Sequence, residues 1–353
     1  MPYIAGVSTS VPPHVLRQER AKGFAEQLFG PRIQHLLPVF DHALIDERHF
    51  ATEPEWFLTS HTFTETNDRY IETSLVLAED VVRKLVLQCG LSTEAFDAIF
   101  FVSTTGLSTP SIDARLFNRL NFHSHIKRIP IWGLGCAGGV GAIARASEYV
   151  RAFPTHRALV LSIELCSLAF QLGDRSKSNI IASALFADGA AAALIAGDEV
   201  EPQKSNFSKP TIVTTLSTTY PDTLDVMGWR ISSEGFHIVL SRDIPSIVTS
   251  LVRANIEELL STNGLTVPDI RHYVAHPGGA KVMDAYREAL LLTNGELRHS
   301  YDVLRHFGNM SSATVFFILE QVLMETVETT GEYGLMSALG PGFSSELVLL
   351  HWE

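Results

Sequence analysis

One run in this sequence dictates strand–turn–helix geometry: IWGLGCAGGVGAIARASEYV, from Ile131 to Val150. An apolar strand over Arg128–Trp132 meets a glycine-rich elbow, and a helix of small residues follows over Gly139–Ala152. The elbow sets the thiol of Cys136 at the N-terminus of a buried helix. Free backbone N–H groups and the helix dipole there favour a thiolate. The other two cysteines read differently. Cys89 ends a helix beside Gly90 and belongs to the core, and Cys166 lies in the apolar run SIELCSLAF, where it packs or lines a cavity.

Alternating signals extend this strand–elbow–helix unit to the whole chain. Helical periodicity runs through Thr73–Cys89, Gly139–Ala152, Ile247–Leu260, Ala280–Leu291 and Ser312–Glu325. Short runs rich in β-branched and aromatic residues predict strands at Ala98–Ser103, Arg128–Trp132, Ala158–Ile163, Ala190–Ile195, His237–Leu240, His272–Ala275, Gly334–Ala338 and Leu347–His351. A faint repeat links the two ends of the chain. A helix ends at Gly90-Leu91-Ser92, with Asp97 before the strand AIFFV; another ends at Gly264-Leu265-Thr266, with Asp269 before HYVAH. The Cys136 junction is echoed at Asn309, since each carries a reactive group onto the start of an apolar helix. Two related α/β halves are expected, 1–205 and 206–353, divided in the polar stretch GDEVEPQKSNFSK. The first half would carry the cysteine, and the second His276 and Asn309.

Composition narrows the class of partner. A net charge of −12 with no basic run beyond two residues argues against nucleic acid or an anionic membrane as partner. Three cysteines without metal-ligand spacing point to a reducing, cytoplasmic setting and no metal site. The N-terminus MPYIAGVSTSVPPH lacks a secretory pattern, and the longest apolar run, Ile180–Gly197, is broken by Asp188 and two glycines. That run is expected to be a buried strand and its approach, not a membrane span.

A thiol, an imidazole in HPGG (His276) and an amide in GNMSSA (Asn309) suit the joining of acyl thioesters. Thiolate attack on a thioester is nearly isoenergetic, and two hydrogen-bond donors can stabilise an enolate oxygen at about 3 kcal/mol each. An ion pair between Cys136 and His276 would lower the thiol pKa. No metal or organic cofactor is called for. By themselves the three residues leave open a single-condensation enzyme resembling ketoacyl-ACP synthase III, and a Cys–His–Asn hydrolase.

Five motifs in order resemble the type III polyketide synthases, the chalcone-synthase-like branch of the thiolase superfamily: GLGCAGG, ALFADGAAAALIAG, HPGG, GNMSSA and ALGPGFSSELVLL. STTGLSTPSIDARL and LGPGFSSELVL look closest to bacterial members that make alkylpyrones or alkylresorcinols. The resemblance implies a five-layered αβαβα fold, a homodimer, and acyl-CoA and malonyl-CoA as substrates, with an acyl carrier protein as an alternative donor. It assigns Cys136 as acyl carrier, and His276 with Asn309 as the pair that drives malonyl decarboxylation. Phe186 matches an aromatic gatekeeper, Ser311 a residue beside the cysteine, and Gly340, Pro341 and Gly342 a cavity-wall loop. Thr109 falls where the family sends a side chain into the partner subunit's cavity.

The departures from that family are informative. A second gatekeeper falls near Ile238, so the wall is aliphatic there, with Phe236 two residues away. Positions often occupied by threonine in plant members are Cys166 and Ala169, which fits an aliphatic starter. In LLPVFDHALIDERHF, where plant members hold the coenzyme A phosphates, the sequence offers Arg48 and His42 and no lysine. The expected cycle loads a fatty acyl group on Cys136, extends it about two or three times with malonyl-CoA, and closes a ring by lactonisation.

Overall fold

The structure is a computed structural model that describes residues 1–202, 208–293, 295–326 and 329–353. Its strands are β1 (Tyr3–Ser10), β2 (His14–Arg17), β3 (Glu47–Phe50), β4 (Ala98–Val102), β5 (Lys127–Ile131), β6 (Arg157–Leu165), β7 (Asp188–Ala196), β8 (Thr211–Thr219), β9 (Met227–Ser232), β10 (Gly235–Leu240), β11 (Ile270–Ala275), β12 (Glu332–Gly340) and β13 (Ser344–Trp352). Nine of them form one sheet in the order β11-β12-β13-β8-β1-β7-β6-β4-β5.

The pairing pattern repeats within this sheet. β1 runs antiparallel to β7, β7 antiparallel to β6, and β6 parallel to β4. β8 runs antiparallel to β13, β13 antiparallel to β12, and β12 parallel to β11. The halves meet where Tyr3 lies opposite Thr211, flanked by Ile4 N–H donating to Pro210 O at 3.0 Å and Ile212 N–H to Pro2 O at 2.7 Å. The echo seen in the sequence is local geometry. Gly90 and Gly264 sit at φ 63° and 69°, and each helix closes with the next residue's N–H on a carbonyl five residues back. The expected division between 205 and 206 lies outside the described residues.

Side-chain alternation along the strands builds the layers. In β4, Ile99 and Phe101 join the core under the outer helix Phe63–Cys89, while Phe100 and Val102 join a central core. In β13, Leu347 and Leu349 pack with helices Arg253–Ser261 and Ala280–Leu290, while Val348 and Leu350 turn to the central core. That central core holds helices Gly138–Ala152 and Thr314–Glu325. With the sheet's two ends, joined at β8–β1, on opposite sides of the central helices, the layers are helix, sheet, helix pair, sheet, helix: the αβαβα arrangement. Each fully buried Leu or Ile contributes about 1.5–3 kcal/mol, so the helix pair gripped from both sides anchors the fold.

The two central helices touch at their starts. A Cβ on Gly139 would lie 2.2 Å from Ser312 O, so only glycine allows this approach. The contact sets the Cys136 elbow against the turn that carries Asn309.

All eight strands expected from sequence are present, within a residue or two at most ends. Others are found only in the structure: β1, the threonine-rich β8, and helices Gln18–Phe29, Lys177–Leu185 and Arg298–Phe307. Ile180–Gly197 divides into the end of helix Lys177–Leu185 and the buried β7. Among the described residues no helix is long and apolar enough to cross a membrane.

Candidate active site

Cys136 lies in a 3-10 turn, Gly135–Ala137, that leads into helix Gly138–Ala152. Gly133 and Gly135, at φ 95° and 49°, bend the chain sharply enough to aim the side chain out of the turn. The thiol donates to Ser311 Oγ at 3.5 Å. Ser311 holds φ 50° with no glycine to ease it, in the turn opposite.

Asn309 is tied down through its backbone. Its N–H donates to Leu185 O at 2.9 Å, and its carbonyl accepts from Ala187 N–H at 2.9 Å, which zips it to the segment around Phe186. Its Oδ1 accepts the Ser311 N–H at 2.8 Å, and its Nδ2 lies 3.4 Å from Gly278 O in the HPGG turn. His276 follows β11, its backbone N–H on Ser337 O at 2.9 Å. Its imidazole is buried, and neither ring nitrogen has a hydrogen-bond partner among the described residues.

Cys136, His276 and Asn309 line one cavity, together with Leu185, Phe186, Met227, Leu240, Ile244, Val282 and Leu339. This hydrocarbon lining governs the charge states. Burial pushes the Cys136 thiol up to about 12, outweighing the hydrogen bonds from Ser311, its own backbone and Asn309 that favour a thiolate. Burial alone pushes His276 down to about 4. The resting pair is a thiol and a neutral imidazole, not the ion pair expected from the sequence, because a dry chamber disfavours both charges.

On the far side of Phe186 lies a second cavity, lined by Cys166, Ala169, Ile238, Phe24, Leu28, Phe57, Phe170 and Trp229 among others. Phe186 lines both cavities. The expected cavity residues Cys166, Ala169 and Ile238 therefore gather here, and the wall of the Cys136 chamber is Met227, Leu240 and Ile244 instead. Gly340, Pro341 and Gly342 line neither cavity. Gly340 and Pro341 brace the elbow from behind: a Cβ on Gly135 would meet Pro341 Cδ at 2.6 Å, and one on Gly340 would meet Leu134 O at 2.2 Å. Thr109, before the cis peptide to Pro110, is exposed and lines neither cavity of its own chain.

Arg48 is not at a mouth where phosphates would dock. It is 1% exposed and donates from Nη1 to Phe186 O at 2.7 Å. Glu164 was not singled out from the sequence either. It is fully buried and accepts from Thr104 N–H at 2.9 Å, Thr104 Oγ1 at 3.0 Å, Thr105 Oγ1 at 3.0 Å and Ser312 Oγ at 2.5 Å. Its signal was an acidic residue inside the apolar strand LVLSIEL. A carboxylate there needs donors brought from elsewhere in the fold.

A part-buried thiol, a buried imidazole and a buried amide thus share one chamber. Residues 25–271 match the FAE1/type III polyketide synthase-like protein family, and residues 211–352 match the C-terminal domain of chalcone and stilbene synthases. A putative chalcone synthase of Bacillus subtilis (strain 168) is 43% identical over 362 residues, covering 100% of this chain and 99% of that one. The 1,3,6,8-tetrahydroxynaphthalene synthase of Streptomyces peucetius subsp. caesius is 36% identical over 352 residues, covering 99% and 93%. The crystal structure of the enzyme of that name from Streptomyces coelicolor A3(2), a bacterial type III polyketide synthase, superposes with a TM-score of 0.93 at 29% identity and 99% coverage of both chains. The chain belongs to the type III polyketide synthases, acyltransferases that condense malonyl-CoA iteratively by decarboxylative Claisen chemistry.

Proposed function

We propose that Cys136 carries the growing acyl chain, that His276 and Asn309 stabilise the enolate released from malonyl-CoA, and that the starter is a medium-to-long fatty acyl group. The observation that carries this reading is the adjacency of the two cavities at Phe186: one holds the thiol, imidazole and amide, the other is hydrocarbon. A neutral imidazole and an amide Nδ2 are donors of the kind an enolate oxygen needs. Each would contribute about 3–4 kcal/mol to decarboxylation if it acts like an oxyanion-hole donor. An alkyl tail passing Phe186 would lie against Phe24, Leu28, Ala169 and Ile238. Two or three extensions and lactonisation would give an alkylpyrone.

A second reading has support of its own. The Streptomyces peucetius relative is named for a tetrahydroxynaphthalene product, so a starter supplied by malonyl-CoA itself is the rival.

The free edge of β5, with Trp132 at 51% and Leu107 at 40% exposed nearby, supports a homodimer that would cover it and place Thr109 against a partner. No organic cofactor enters this chemistry, and the acyl donor is coenzyme A or a carrier protein.

The test is incubation with malonyl-CoA alone and with acyl-CoA starters from acetyl to stearoyl, followed by mass spectrometry of the extract. Alkylpyrones from the longer starters support the fatty-acyl reading. An aromatic product from malonyl-CoA alone, with long starters ignored, would replace it with the second.

A further inference from the structure

The hydrocarbon cavity has one charged residue in its lining, Arg48, and the environment of that residue is unusual. Nη1 is spent on Phe186 O, but Nε and Nη2, both buried, have no hydrogen-bond partner among the described residues. The nearest carboxylate is already engaged: Asp188 accepts from Ser167 N–H at 2.7 Å, Ser167 Oγ at 2.5 Å and Ala51 N–H at 2.7 Å. The guanidinium cannot swing away. Its Cζ sits 5.2 Å from the Phe50 ring centroid, and its stem fills the space beside Gly308, where a Cβ would meet Arg48 Cγ at 2.8 Å.

Other polar groups around the cavity are committed elsewhere. Asn179 Nδ2 donates to Gln171 O and Asp174 O, and Ser183 Oγ donates to Ile180 O. A buried cation with two free donors in an apolar wall is costly unless an acceptor comes to it. Hydrocarbon alone would not satisfy it.

We propose that Arg48 is the oxygen-recognition residue of this cavity, receiving on Nε and Nη2 the carbonyl or carboxylate oxygen of an aliphatic chain whose body lies against Phe24, Leu28 and Ala169. The shared chemistry is an oxygen acceptor on an alkyl chain. It comes either from a free alkanoic acid or from the ketone oxygens of a chain that reaches past Phe186. This site goes beyond the acyl-carrying role of Cys136, and its occupancy requires no turnover.

Trp229 lines the cavity and supplies the readout. The purified protein is titrated with octanoate, 2-nonanone and nonane while tryptophan emission is followed, with Trp229→Phe identifying the responding indole. At least one oxygenated ligand should bind about tenfold or more tighter than nonane, the usual scale for a hydrogen bond to a charged group. Binding of octanoate alone identifies the free acid as the source, and binding of 2-nonanone identifies the ketone. Arg48→Met should erase the preference and leave nonane binding unchanged. Arg48→Lys, which keeps a cation, should retain part of it. Ala182→Phe, which fills the cavity, should abolish all three. Equal affinities for the three ligands in the wild-type protein would overturn the proposal, with no variant needed. So would a preference that survives in Arg48→Met, or binding that survives in Ala182→Phe.

Discussion

The Oδ1 of Asn309 accepts the backbone N–H of Ser311 at 2.8 Å, and this bond settles which end of the amide meets the chamber. With the oxygen occupied, Nδ2 is left as the donor, a long 3.4 Å from Gly278 O and within reach of the Cys136 thiol. Asn309→Asp keeps an acceptor for Ser311 and deletes the donor. Malonyl-CoA decarboxylation by this variant, followed as CO2 release without a starter, should fall about 100- to 1,000-fold. A rate within a few fold of wild type would remove Asn309 from the chemistry.

The charge states of the chamber make a second prediction. A thiol with pKa pushed up to about 12 is protonated at neutral pH, so its thiolate fraction rises tenfold per pH unit below that value. His276, pushed down to about 4, stays neutral above that pH and contributes no inflection. Alkylation of Cys136 by iodoacetamide in the free enzyme, read by intact mass, should therefore climb steadily from pH 6 to pH 10. A plateau reached near neutrality would reveal a resting thiolate–imidazolium pair and contradict the structure.

Much of the site was legible because its groups stand at glycine-marked junctions. Cys136 follows Gly135, His276 precedes Gly278 and Gly279, and Asn309 follows Gly308, so local sequence announces each sharp turn. The αβαβα layering was legible only through resemblance, since no local pattern says that β1 and β8 pair. What stayed hidden was long-range and polar. IDERHF offers Arg48 to coenzyme A phosphates, yet that Arg48 is buried behind Phe186, 138 residues away in the chain. The donors that hold Glu164 come from residues as distant as Ser312. Gly340 and Pro341, expected at a cavity wall, instead pack the end of β12 closely on the elbow.

That close packing is testable through paired glycines. A Cβ at Gly139 would lie 2.2 Å from Ser312 O, a backbone atom that cannot step aside, whereas a Cβ at Gly173 would meet nothing within 4 Å. Gly139→Ala should lose at least about 2–3 kcal/mol of stability in urea titration, and Gly173→Ala should stay within about 0.5 kcal/mol. Equal stabilities would mean that the central helices can part without cost.

Glu164 gathers four donors from two segments, Thr104–Thr105 and Ser312, so its replacement disturbs them together. In Glu164→Gln an amide NH2 takes the place of one acceptor oxygen, so two of the four donors lose their acceptor. The expected loss is about 2–4 kcal/mol in urea titration, more than removal of any single hydroxyl in the cluster. Thr105→Val, which removes one donor to Glu164 and the acceptor for Leu165 N–H at 2.8 Å, should cost less than Glu164→Gln. The reverse order would mean that the carboxylate is not the hub.

On the fatty-acyl reading, chain length is selected by the space beyond Phe186. Ala169 is 6% exposed and lines that hydrocarbon cavity, where a benzyl group would take up space that an alkyl tail needs. It does not line the chamber of Cys136, so the thiol, His276 and Asn309 would be undisturbed. Each methylene denied its hydrophobic contact costs about 0.8 kcal/mol, so excluding even two or three should cut use of a long starter by about tenfold or more. Ala169→Phe should therefore lower kcat/KM for decanoyl-CoA by that margin while malonyl-CoA decarboxylation stays near wild type. Mass spectrometry of products from mixed starters reads the shift directly. Should decanoyl and acetyl starters fall together, the bulk would be acting on the fold and not on the tail. Should neither change, the tail of the starter lies somewhere other than beside Ala169.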